Sequence, residues 1–231
     1  MNQKTGHFTG RLNGWGLRSA LLLATLTGCA RTGDPMIHEM LSEITEQNIR
    51  EHVEKLAAFG TRQTLSETES DTRGIGAARR WIRDQFDSYS AASGGRLQVE
   101  MQSYIQPADG RRITRDVEIV NVIATLPGID PDSDDRVYVV SGHYDSICSD
   151  PADHECDAPG ANDDASGVAA VLEMARVMSK RQFKATLVFA TVAGEEQGLY
   201  GSRYMAKDYR ERGINIAGMF TNDIIGNTLG Q

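Results

Sequence analysis

No block of lysine or arginine stands out among the 231 residues, and the formal net charge is −8. Nucleic acid is therefore a poor partner, because binding a phosphate backbone takes clustered basic side chains. No apolar run approaches the roughly 20 residues of a permanent membrane-spanning helix. Internal repeats and low-complexity segments are missing too, which argues against solenoids and linker-like chains. Cysteine is limited to three residues and histidine to five, few enough to consider one at a time. The rest is ordinary for a globular protein: 40% hydrophobic, 24% charged, and a length suited to one domain of mixed class.

The first residues read as a leader. Lys4, Arg11 and Arg18 appear without acids and precede the apolar run Ala20 to Leu26, a secretory pattern too short to stay in a bilayer. Leu26-Thr27-Gly28-Cys29 resembles the lipobox of bacterial lipoproteins. That resemblance implies cleavage before Cys29, a lipid on its sulfur and, with Ala30 next, an outer-membrane anchor facing the periplasm. The expected division is a signal peptide over 1–28, a tether over 29–44 and a catalytic domain over 45–231. The other cysteines, Cys148 and Cys156, flank a polar loop. In an exported chain they read as a disulfide, with free thiols or a zinc site from Cys148, His154 and Cys156 as the other readings.

Apolar residues recur at helical spacing over 45–59 and 75–89. Strands follow at 97–101 and 118–126, joined through a hairpin-like excursion near Pro107 to Arg112. From Arg136 the rhythm changes to buried strand (137–140), helix (165–179), strand (186–192), helix (199–212) and strand (216–221). This alternation predicts the α/β class: a mostly parallel central sheet with helices on both faces.

Each of the last three strands ends in groups that can bind metal: His143-Tyr144-Asp145-Ser146, Ala193-Gly194-Glu195-Glu196 and Asn222-Asp223. Asn162-Asp163-Asp164 precedes a helix and can fold onto the same edge. Singly, each has an ordinary reading as a solvated loop, a helix cap, a core histidine or a turn. Together they crowd carboxylates at the strand ends, where open α/β sheets bind ligands and where cations would relieve the repulsion. One imidazole among carboxylates suits zinc better than calcium.

His143-Tyr144-Asp145-Ser146, Ala158 to Gly167, Ala193 to Ser202 and Asn222 to Gly226 resemble, in order and spacing, the M28 family of zinc peptidases. The resemblance implies a zinc-exopeptidase-like fold of the phosphorylase/hydrolase type and an aminopeptidase acting on peptides through two zinc ions. His143 and Asp223 would hold one zinc, Glu196 the other, and Asp163 would bridge them. Asp145 would orient the His143 ring, and Glu195 would be the general base, taking a proton from the attacking water and passing it to the leaving amine. It also implies a cis bond between Asp163 and Asp164.

The family's second zinc takes a further histidine from the C-terminal third of its domain. Only His143 among the five histidines stands at a ligand position, so the expectation is a chain lacking that third, with one complete zinc site (His143, Asp163, Asp223). His154 is a candidate substitute without support from its spacing. Two other functions fit the same residues: a glutaminyl-cyclase-like zinc acyltransferase, and a non-catalytic lipoprotein binding module.

Overall fold

The computed structural model describes residues 34–132 and 135–227. The expected signal segment and Cys29, the expected lipid-attachment residue, lie outside the described residues. From Asp34 the chain forms α1 (Pro35–Glu43), α2 (Glu46–Ala57), α3 (Gly74–Ala92), β1 (Gln98–Gln106), β2 (Val117–Leu126) and β3 (Arg136–His143). It continues with α4 (Ala165–Met178), β4 (Thr186–Val192), the single turn α5 (Glu195–Gly198), α6 (Tyr200–Glu211) and β5 (Asn215–Thr221). No described helix is long and apolar enough to cross a membrane.

Within the tether expected over 29–44, residues Pro35–Glu43 form α1 rather than extended chain. Asp34 accepts the Met36 N–H at 2.9 Å, and Pro35 occupies the first turn, where its missing N–H costs nothing. The helix buries no residue, so polar contacts attach it. Glu43 bonds Lys180 at 2.8 Å and also Arg181, and Arg176 reaches the Glu43 carbonyl at 2.7 Å. Lys180 first, then Arg181, hold the Glu43 carboxyl down at about 2.

The α/β class holds, but the sheet is mixed rather than mostly parallel. Its order is β1-β2-β4-β3-β5. β1 pairs antiparallel with β2, and β2 antiparallel with β4, while β3 runs parallel to both β4 and β5. The excursion after β1 turns the chain straight back, a short connection that only antiparallel neighbours permit. Crossover helices α4 and α6 join the parallel members. Helices cover both faces, as period-two packing along β2 demands. Val122, Ala124 and Leu126 share a buried cluster with Ile82 and Phe86 of α3 and Leu172 of α4. Ile123 joins Met205 and Tyr209 of α6 in another.

Candidate metal centre

Because β3, β4 and β5 are parallel, their C-terminal ends share one edge. His143, the last residue of β3, pairs with Val192 of β4, and Ser141 pairs with Thr221 of β5. Glu195 and Asp223 therefore follow just past the same edge. Asn222 fastens it: its main-chain N–H and its Nδ2 both donate to the Ser141 carbonyl, at 2.8 and 3.1 Å.

α4 adds the fourth group. Asp164 caps this helix by accepting the Gly167 N–H at 2.9 Å, and its other oxygen accepts the His143 N–H at 3.0 Å. One carboxylate thus ties helix to strand. A Cβ on Gly142 would lie 2.8 Å from the Gly167 carbonyl carbon, and one on Gly167 would lie 2.5 Å from both Asp164 oxygens. The approach needs glycine at both places. The Asp163–Asp164 peptide is cis, as the family resemblance implies.

His143, Asp163 and Asp223 come together. His143 Nε2 lies 3.1 Å from Asp163 Oδ1 and 3.8 Å from Asp223 Oδ1, and one ligand atom from each residue lies within 4.8 Å of the others. The imidazole is buried and both carboxylates are about half exposed. On the far side of the ring, Nδ1 faces the Asp145 main-chain oxygen at 3.2 Å and its carboxylate at 3.5 Å. A proton on Nδ1 leaves the Nε2 lone pair facing Asp163 and Asp223, the orientation a metal-binding histidine needs.

The charges point the same way. Burial pulls the His143 imidazole down, but Asp145, Asp164 and Glu195 outweigh it and raise the group to about 10. Burial, then Asp145 and Asp163, push Glu196 up to about 7. Burial likewise lifts Asp164 to about 7, against the pull of His143. Glu195 is raised by burial and then by Asp145, Asp223 and Asp163, against His143. Partly buried carboxylates crowded around one imidazole concentrate negative charge at this edge, and a bound cation would neutralise it. The donor set fits a divalent cation, and its imidazole suits zinc.

The remaining expected residues are placed less completely. Glu195 and Glu196 start α5, and their N–H groups donate to the two Asp145 carboxylate oxygens at 3.2 and 3.1 Å. Asp145 therefore orients the acids at least as directly as the ring. Glu196 is outside the convergent group of His143, Asp163 and Asp223 among the described residues. His154 is outside it as well, with Nε2 3.5 Å from Arg115 Nη1. Cys148 and Cys156 form a disulfide. That pairing corrects the zinc reading of Cys148, His154 and Cys156, because the two sulfurs are bonded to each other. The disulfide loop is fastened by Gln63 Nε2 to Pro151 O and Arg73 Nη2 to Glu155 O, each at 3.0 Å.

Sequence reasoning missed Arg62, Thr64 and Gln197. Thr64 Oγ1 lies 3.3 Å from Asp145 Oδ2 and hydrogen-bonds Gln197 Oε1 of α5. Arg62 is buried beneath the same loops. No periodicity marks Arg62 and Thr64, whose signal is the polar density of Thr61 to Ser66 between two helices, while Gln197 lies inside the Ala193 to Ser202 motif without a role assigned to it.

Comparison with known proteins finds a family match over part of the chain. Residues 121–230 match the sequence model of Peptidase family M28. This stretch is a peptidase family M28 segment. A "Probable zinc metalloprotease" of Pyricularia oryzae is 52% identical over 202 residues, covering 87% of this chain and 40% of that protein. A namesake in Pyrenophora teres f. teres is 47% identical, covering 86% and 40%. The chain thus spans about two fifths of the length of these curated relatives. Among solved structures, an aminopeptidase from Aneurinibacillus sp. strain AM-1 superposes with a TM-score of 0.62 at 19% identity, covering 83% of this chain and 73% of that one. Legionella pneumophila LapB gives 0.61 at 24%, covering 82% and 46%, and an Acidobacteriales bacterium glutaminyl cyclase gives 0.61 at 22%, covering 79% and 59%. These likenesses establish the shared fold.

Proposed function

We propose that the protein is a zinc-dependent exopeptidase that removes N-terminal residues from peptides. The observation that carries this reading is the convergence of His143, Asp163 and Asp223 at a sheet edge that also presents Glu195. His143, Asp163 and Asp223 would hold zinc, which would supply Lewis acidity toward a peptide carbonyl and an attacking water. Glu195, its carboxyl pushed up by burial, takes the proton of the attacking water and passes it to the leaving nitrogen. Asp145 holds Glu195 in register through the main chain. Glu196, also at this edge, would help to hold a second zinc together with Asp163.

The fold is shared with glutaminyl cyclases, so fold does not choose between hydrolysis and cyclisation. The run Glu195-Glu196-Gln197-Gly198-Leu199-Tyr200-Gly201-Ser202, which resembles the peptidases, supports hydrolysis. The Cys148–Cys156 disulfide supports an exported, oxidising location, and a lipid anchor at Cys29 rests on the lipobox resemblance alone.

The test uses the full-length protein. Aminoacyl anilides should be cleaved, cleavage should stop with a chelator, and Glu195→Gln should abolish turnover at unchanged metal content. Turnover retained by Glu195→Gln would remove the general-base assignment, and cyclisation of N-terminal glutamine without anilide cleavage would favour the acyltransferase.

A further inference from the structure

Arg62 follows α2 and is fully buried. A buried guanidinium usually meets a carboxylate, yet this one donates to four main-chain carbonyls. Nε reaches Tyr144 O at 2.6 Å, Nη1 reaches Leu56 O at 3.0 Å and Pro159 O at 2.7 Å, and Nη2 reaches Gly160 O at 3.0 Å. Tyr144 directly follows His143, and Gly160 lies shortly before Asp163. Ser146 closes the same seam: its Oγ accepts the Arg62 N–H at 3.0 Å and donates to Ala158 O at 2.7 Å. Burial pulls the guanidinium down to about 10, against Asp145, then Asp164 and Asp163, which favour its ionised form.

A rigid fork of five donors can hold several carbonyls at fixed mutual distances, which a flexible ammonium cannot. We propose that Arg62 is a positioning residue for the metal centre: it locks the His143 segment to the Asp163 segment, so both ligand atoms stand together before a cation enters. The inference rests on the metal reading of the site. It assigns Arg62 a function beyond folding, because the seam it closes runs between two ligands.

The experiment measures zinc affinity of the full-length protein by competition with a fluorescent chelator, alongside thermal unfolding. Arg62→Lys keeps the charge and loses the fork. Met205→Ala, in the cluster on the other face of the sheet, supplies a stability loss away from the seam. The expected result is zinc affinity about 10–100-fold weaker for Arg62→Lys, the range for residues that orient metal ligands, and unchanged for Met205→Ala. Ser146→Ala loosens the seam more gently and should weaken zinc in the same direction even if Arg62→Lys does not fold. Zinc affinity unchanged in Ser146→Ala, and in Arg62→Lys if it folds, would overturn the proposal and leave Arg62 a folding residue only. An unaltered protein that binds no zinc would overturn the metal reading and this inference together.

Discussion

The Asp145 carboxylate accepts the main-chain N–H of Glu195 at 3.2 Å, while its other oxygen takes that of Glu196 at 3.1 Å. Asp145 is completely buried and also stands beside His143 Nδ1. One carboxylate therefore joins the strand that presents the imidazole to the turn that presents both acids.

Asp145→Asn tests that clamp. The amide keeps the shape but turns one acceptor into a donor facing an N–H, leaving buried polar groups unmatched. A cost of about 1–3 kcal/mol is expected. Hydrogen exchange at the Glu195 and Glu196 amides should accelerate more than exchange in α3. Uniform acceleration across the chain would mean that Asp145 matters only to global stability.

The acid limb of the stability profile should report Glu173. This buried α4 carboxylate accepts from Arg176 Nε at 2.7 Å and Nη2 at 2.8 Å and from Asn48 at 3.4 Å, with His52 Nε2 also 3.4 Å away. Burial alone would raise its pKa, but Arg176, then His52 and Asn48, outweigh that and hold it down at about 2. A depressed folded pKa stabilises above the ordinary value and loses that contribution as pH falls toward 2. The unaltered protein should lose about 3 kcal/mol from this source between about pH 4.5 and 2. Glu173→Gln should start less stable and show a flatter profile in that window; an identical slope in chemical denaturation would contradict the assignment.

β5 is an edge strand of the sheet among the described residues, and its exposed apolar side chains predict self-association. It pairs on one side with β3, and Met219 and Phe220 are 52% and 64% exposed. An exposed apolar edge strand is a template for further pairing. Phe220→Lys should lower the sedimenting oligomer fraction of this chain at a given concentration while leaving the helical circular dichroism unchanged. An unchanged distribution would place association elsewhere.

The parallel half of the fold was legible because strands buried on both faces read as unbroken apolar runs, and helices at 165–178 and 200–211 keep a 3.6-residue period. His143, Asp163 and Asp223 were legible because they stand where a strand stops or a helix starts. The mixed sheet was not, since hydrophobic alternation sets which face a residue takes and not the direction of its neighbour. α1 was hidden because it buries nothing and is held by Glu43 and basic residues near the end of α4. Arg62 was hidden because its partners are carbonyls up to 98 residues away in sequence, which no local pattern encodes.

Zinc titration of the full-length protein by calorimetry, with and without His143→Ala and Asp163→Ala, tests the central claim most directly. The account predicts zinc binding in the unaltered protein, retained in Glu195→Gln and lost or strongly weakened in each ligand variant. Equal zinc binding in His143→Ala and Asp163→Ala would contradict it.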